Sequence, residues 1–486
     1  MSITFTNDVH GLNVYLVGIK GTGLCAFAEI LLSMGASIRG SDVKERFYTD
    51  EVLEDLGISV LPFDKDNITK DIDLIIYSAA YKPDTHAELL MAKELSIPVM
   101  SYPEALGAFS ENRNSGAIAG VHGKTSTTAI AGVLARAVRL PANILVGSRV
   151  PAFGNRSTLN MGNELFIAET CEYRRHFLHF KPRRIVLTSV EPDHQDYYPD
   201  YEAIATAFTE YLCSLPKGGT VIYCQDDKGA VDVWTRAKTV RADLKGLAYG
   251  FDARGDFRIA SYKLLNEKAA FTLAGFGISF ETGIPGRHIA LDAAAAIALC
   301  SSFIAEREGR RFNDDELKAM AEALAAFSGS SRRSELLGEA KGVLFADDYG
   351  HHPSAIKTTL RGFKDFYPKR RLVIDFMSHT SSRTKALMDD FAAALSDPYF
   401  GKDSIMVLHK IYLSAREQAD PETSGYLLFE KTRKLRPADS TFYFEEVMEA
   451  KPFLSSILRP EDLFISLGAG DNFRLGQALY NEMKNS

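Results

Sequence analysis

Short apolar runs, each leading into a glycine-bearing turn and then a stretch with helical spacing, recur along this chain. That order predicts βα units laid side by side in parallel sheets. The first series opens with an apolar run at Asn13–Ile19, turns through GIKGTG at Gly18–Gly23 and continues helically to Met34. Further strands are expected at Ala36–Gly40 and Asp73–Ala80, with a helix around Asp84–Ser96. The polar stretch Ser110–Ser115 (SENRNS) reads as a linker.

A second series starts at Gly116–Gly120, turns through GVHGKTSTT and runs helically to Val138. Strands are predicted at Leu165–Ala168, Arg184–Val190 and Thr220–Cys224, and an alanine-rich helix at Ala290–Ile304. The third series follows Phe327-Ser-Gly-Ser, with strands at Val343–Asp347, Arg371–Phe376, Ser404–His409 and Asp462–Leu467, then GAGDNF and a final helix. The predicted fold class is therefore α/β, with domains at residues 1–112, 113–327 and 328–486. No short-period repeat or low-complexity tract interrupts it.

Bulk properties narrow the picture. A chain of 486 residues is too long for one core. Its 46% hydrophobic and 24% charged residues are those of an ordinary globular protein. The net charge of −7 provides no bulk attraction to nucleic acid or anionic membrane, so any phosphate must be held by a local site. The opening residues lack the basic start and apolar stretch of a signal peptide. The longest apolar run, Ala293–Leu299, is too short to cross a bilayer. Five scattered cysteines form no CxxC pair. A cytoplasmic location without membrane insertion is expected.

The sharpest chemical signal is Gly120-Val-His-Gly-Lys-Thr-Ser between a strand and a helix. Such a turn offers unpaired backbone N–H groups and the positive end of a helix dipole to an anion. Gly120 and Gly123 allow close backbone approach, Lys124 supplies charge for the outer phosphates, and Thr125 or Ser126 offers a hydroxyl to Mg²⁺. Only two residues separate the glycines, against four in GxxxxGK[ST], so a chance Gly-Lys pair in a surface loop is the bland alternative. Downstream, Glu169 and Glu172 close an apolar strand, and Glu191, Asp193, His194 and Asp196 follow another. Carboxylates at the C-terminal ends of parallel strands suit a magnesium–triphosphate site, although each alone is equally a solvated loop residue.

Read together, these segments resemble the Mur ligases along essentially the whole chain, in the same order. The matching pieces are GIKGTG (Gly18–Gly23), Ser41-Asp42, GVHGKTS (Gly120–Ser126), ETCEYRRHFL (Glu169–Leu178) and DHQD (Asp193–Asp196). PGRH (Pro285–His288), SRRSE (Ser331–Glu335), DDYGHHP (Asp347–Pro353), HTSSRT (His379–Thr384) and GAGD (Gly468–Asp471) complete the set. DDYGHHP points to the alanine-adding branch.

The resemblance implies a three-domain architecture: a Rossmann-like N-terminal domain for a UDP-sugar, a central P-loop ATPase domain, and a Rossmann-like C-terminal domain that closes on ATP and amino acid. It also implies an ATP- and Mg²⁺-dependent carboxylate–amine ligase of peptidoglycan precursor biosynthesis. Its substrates would be UDP-N-acetylmuramate and L-alanine, joined through an acyl phosphate, and the enzyme would act as a monomer or weak homodimer.

Site residues carry over on the same basis. Lys124, His352, His379 and Arg383 would be catalytic. Gly120, His122, Gly123, Lys124, Thr125, Ser126, His288, Asp292, Arg332 and Asp347 would hold ATP. Gly18, Gly21, Gly23, Ser41, Asp42 and His194 would hold the UDP-sugar, and Thr125, Glu169 and His194 the metal, with Glu172 tuning that shell.

Three positions depart from the family pattern. Asp292 stands where Asn usually contacts adenine, Thr380 where many alanine-adding members carry Arg, and Cys171-Glu172-Tyr173 where Asp-Glu-Ser is commoner. The alternatives are a recycling ligase that attaches a tripeptide to UDP-N-acetylmuramate, a non-catalytic nucleotide-binding relative, and a nicotinamide-dependent oxidoreductase suggested by GIKGTG alone.

Overall fold

A computed structural model describes residues 9–265, 267–413 and 420–485. The first sheet is fully parallel, in the order Val60–Leu61, Ser37–Ser41, Asn13–Val17, Leu74–Tyr77, Val99–Ser101. Chain order reverses between Asn13–Val17 and Leu74–Tyr77, and GIKGTG leaves the first of these strands, at a topological switch point. Helix Thr22–Ser33 follows it.

The second sheet has seven strands, ordered Lys245–Tyr249, Thr220–Cys224, Arg184–Leu187, Asn114–Ala119, Leu165–Glu169, Ala142–Val150, Arg156–Asn160; only the last pairs antiparallel. Its inner strands are buried on both faces, as parallel strands covered by helices must be. A three-stranded antiparallel sheet (Ile259–Leu265, Lys268–Leu273, Ser279–Thr282) lies beside it. The third sheet runs Glu335–Ala340, Val343–Asp348, Asp462–Gly468, Arg371–Met377, Ile405–Leu408, Thr441–Tyr443, with an antiparallel first strand. The α/β fold class expected from the sequence is the one observed.

The alanine-rich segment is a 22-residue helix, Arg287–Glu308, long and apolar enough by length and composition to span a membrane. It is a core helix packed along Lys124–Ala137, with Ala293 to Cys300 fully buried, and it contains the whole helix expected at Ala290–Ile304. The polar stretch Ser110–Ser115 joins the last helix of the first sheet's unit to the second sheet, with Glu111 and Asn112 exposed and both serines turned inward. Helix Tyr102–Glu111 and strand Asn114–Ala119 leave two residues between them. Ser110 and Ser115 are fully buried, and Ser115 Oγ donates to the Ser110 carbonyl at 2.9 Å. These polar side chains satisfy backbone groups rather than facing water.

Candidate active site

A cavity of about 630 Å³ opens where the C-terminal ends of the central strands face the third sheet. The phosphate loop forms one wall. Gly120 and Gly123 adopt φ of +141° and +80°, and a Cβ at Gly120 would collide with Thr188 Oγ1. Gly123 caps helix Lys124–Ala137, so the first N–H groups of that helix have no intrahelical partner.

Lys124 folds over its own loop. Its Nζ donates to the Gly120 and Val121 carbonyls and, at 2.8 Å, to Glu172 Oε2. Burial by itself depresses this ammonium; the Glu172 carboxylate outweighs it, and the pKa ends above the ordinary value. Burial likewise opposes the Glu172 charge, and Lys124 with His194 holds its carboxyl below the usual range. Glu172 Oε1 lies 3.4 Å from His194 Nε2. Glu172, Asp193 and His194 bring one ligand atom each within 4.8 Å of one another, one of two such metal-competent clusters among the described residues. Glu169 belongs to neither cluster; it accepts from Thr125 Oγ1 at 2.9 Å, and burial raises its pKa.

The opposite wall comes from the third sheet. Arg383 places Nε and an Nη atom on Asp193 Oδ1 at 3.1 and 2.7 Å. Ser354, in the first turn of helix Pro353–Phe366, donates to Glu191 Oε1 at 2.6 Å. His122 of the phosphate loop bonds the same carboxylate oxygen. His352 Nδ1 meets Ser354 Oγ at 2.7 Å, while its buried Nε2 has no hydrogen-bond partner among the described residues. Burial lowers the pKa of His288, His351 and His352, leaving neutral imidazoles at neutral pH. His379 lines the same space, stacked on Tyr412. Thr380 beside it holds φ +68°, an unfavourable backbone for a β-branched residue of the kind that collects at functional sites.

The structure thus gathers His122, Gly123, Lys124, Thr125, Ser126, His194, His288, Asp292, His352, His379 and Arg383 around one cavity. Arg332 and Asp347 are not among its lining residues. They pair with each other, and Arg332 also donates to the Gly468 and Gly470 carbonyls; Arg333 and Asp348 line the cavity in their stead. The first-sheet group lies elsewhere. Asp42 and Lys20 line a separate cavity of about 660 Å³, with Asp42 accepting the Lys20 and Val43 N–H groups. Ser41 is fully buried and donates to Glu88. Ser354 and Arg333 escaped the sequence reading because only the packing of the third sheet on the second gives them a place. Glu191 carried a weak signal, its position after a strand.

Three family models match in succession: the Mur ligase family, catalytic domain, at residues 13–114; the Mur ligase middle domain at 118–300; and the Mur ligase, glutamate ligase domain at 332–470. A UDP-N-acetylmuramate–L-alanine ligase of Treponema pallidum is 47% identical over 482 residues, covering 99% of this chain and 98% of that protein. One from Borrelia garinii is 39% identical over 468 residues, covering 95% and 97%. Among solved structures, a UDP-N-acetylmuramate-alanine ligase from Thermotoga maritima superposes with a TM-score of 0.75 at 21% identity, over 98% of this chain and 99% of that one. With its three domains matched in order and near-full-length relatives at this identity, the chain belongs to the Mur ligase family.

Proposed function

We propose that this protein ligates L-alanine to the carboxylate of UDP-N-acetylmuramate at the expense of ATP, through an acyl phosphate. The observation that carries the reading is that one cavity holds both the phosphate loop with Lys124 and the third-sheet residues His352, His379 and Arg383. Full-length relatives named for that activity support it.

The chemistry follows from charge. A carboxylate approaching a γ-phosphate meets repulsion, so cations must already be in place. Lys124 stands at the loop, held by carbonyls and by Glu172, which phosphate oxygens can replace as its partners. Arg383, whose Nε and one Nη bond Asp193, keeps its other Nη for the acyl phosphate or the incoming carboxylate. Neutral His352 can accept a proton as the amine attacks.

Glu172, Asp193 and His194 supply the oxygen-rich donor set that Mg²⁺ prefers, with the Thr125 hydroxyl on the phosphate side. Bound there, magnesium would contribute positive charge against the phosphate oxygens. Asp42, and the backbone around Gly18, Gly21 and Gly23 in the turn that leaves the central strand Asn13–Val17, would hold the uridine diphosphate at the C-terminal ends of the first sheet's strands.

The test is phosphate release from ATP with Mg²⁺ and UDP-N-acetylmuramate, comparing L-alanine, an L-Ala-D-Glu-diamino-acid tripeptide and no acceptor, in wild type and Lys124→Ala. Release that needs L-alanine and disappears in the variant is expected. Release with the tripeptide alone would assign a recycling ligase instead, and ligand binding without release a relative that has lost the chemistry.

A further inference from the structure

The central sheet carries another cavity, of about 760 Å³, at the end of its strands away from the phosphate loop. Arg184, Thr220 and Lys245, which begin three parallel strands, help to line it. Six of its lining side chains are lysine or arginine and two are acidic, Glu111 and Glu306. That is an excess of four positive charges on a chain whose net charge is −7. Glu306 is already engaged, accepting from Asn114 Nδ2 at 2.7 Å and from Arg184.

Two of the arginines are built in. Arg113 and Arg184 are 5% and 4% exposed, and each keeps a buried Nε with no hydrogen-bond partner among the described residues. Aromatic rings hold both guanidinium groups in place, Phe109 at 3.6 Å from Arg113 and Phe303 at 4.0 Å from Arg184. Burial pushes the Arg113 pKa down to about 10 and lowers that of Arg184. Their Nη nitrogens are anchored, Arg113 on the Phe109 carbonyl and Arg184 on Asn114 Oδ1 and Glu306, so both stand as fixed positive charge in the wall of the cavity. Lys217 and Lys245 stand exposed at the rim.

We propose that this cavity is a second anion site, which takes a compact polyanion of the di- or triphosphate type. Its volume is that of a small-molecule pocket, and the overall negative charge disfavours a long polyanion. Arg113 lies in the two residues joining helix Tyr102–Glu111 to strand Asn114–Ala119, so an anion held here touches the segment that links the first sheet to the second.

Trp234, the chain's single tryptophan, stacks on Tyr223 and packs against Gly246, next to Lys245, and so reports on this region. Full-length protein would be titrated with tripolyphosphate at constant ionic strength, with equilibrium dialysis counting bound anion independently. Lys124→Ala serves as the background in which the phosphate loop is disabled. Saturable binding should persist there and weaken at least tenfold when Lys217→Glu and Lys245→Glu are added. Both lysines are exposed, and circular dichroism would confirm that the fold survives. Binding absent from the Lys124→Ala background by dialysis, or unmoved by the two charge reversals, would overturn the proposal.

Discussion

Arg383 and Asp193 form a buried ion pair across the cleft between the second and third sheets. Both nitrogens of the guanidinium edge fall on a single oxygen, Asp193 Oδ1, which also accepts the His194 N–H at 2.7 Å. Burial opposes the Asp193 charge, and Arg383 with His194 overrides it, holding that carboxyl well below the usual carboxylate range. The cation proposed to meet a substrate anion is thus paired with a carboxylate of the protein's own.

Removing one partner strands the other as a buried charge. Asp193→Ala and Arg383→Ala are each expected to cost about 3–5 kcal/mol, and the double variant clearly less than their sum. Urea unfolding of the four proteins measures this; strictly additive losses would show that the pair is not coupled. Because the folded pKa of Asp193 is depressed, its contribution is present above about pH 4 and fades as acid titrates it.

The two glutamates at the end of strand Leu165–Glu169 and just beyond it, Glu169 and Glu172, should separate by function. Glu172 touches Lys124 and His194, whereas Glu169 touches the Thr125 hydroxyl. Glu172→Gln is expected to raise the magnesium concentration for half-maximal phosphate release by roughly 10–100-fold, and Glu169→Gln by much less. The magnesium dependence of phosphate release decides; a larger shift in Glu169→Gln would move the metal to the Thr125 side.

Much of this was legible in the chain, for a physical reason. Buried parallel strands need continuous apolar runs, so Thr220–Cys224 and Asp462–Leu467 stood out, and strand-to-helix glycines marked the phosphate loop. Edge and antiparallel strands escaped. Ile259–Leu265 exposes most of its side chains, and Glu335–Ala340 has a bulge and a glycine at φ +136°, so neither shows a clean pattern. At the site, the loop residues carried a local signature. The choice between Arg332 and Arg333 did not, because neighbouring arginines differ only in which way the third sheet turns them.

The phosphate loop should tolerate no side chain at Gly120. Its φ of +141° and the collision of a Cβ with Thr188 Oγ1 and the Ser189 backbone act together. Gly120→Ala is expected to weaken ATP binding at least tenfold and to cost about 1–3 kcal/mol in stability. Gly154→Ala is the control: its φ is +73°, but nothing lies within 4 Å, so strain alone is added and ATP affinity should hold. Equilibrium binding of ATP to both variants checks this, and equal losses would mean that the loop itself can give way.

Asp292 offers a test in pH. Its Oδ1 accepts from Thr127 Oγ1 at 3.1 Å, its Oδ2 is buried without a hydrogen-bond partner among the described residues, and burial pushes its pKa up to about 7. The folded value lies above the unfolded 3.8, so its contribution to stability is fully present below about pH 4 and lost as pH rises to about 7. Asp292→Asn carries a neutral amide throughout. It should match the parent near pH 4 and exceed it above pH 7, by up to about 4 kcal/mol at about 1.4 kcal/mol per pKa unit. Nucleotide binding should follow the same titration. An ionised carboxylate can only accept from a base, while a protonated acid or an amide can also donate. ATP affinity of the parent should therefore fall between pH 6 and 8, and that of Asp292→Asn should stay level. Thermal melts and ATP titrations across that range give both readings, and parallel curves for the two proteins would mean that Asp292 ionises like an ordinary surface carboxylate.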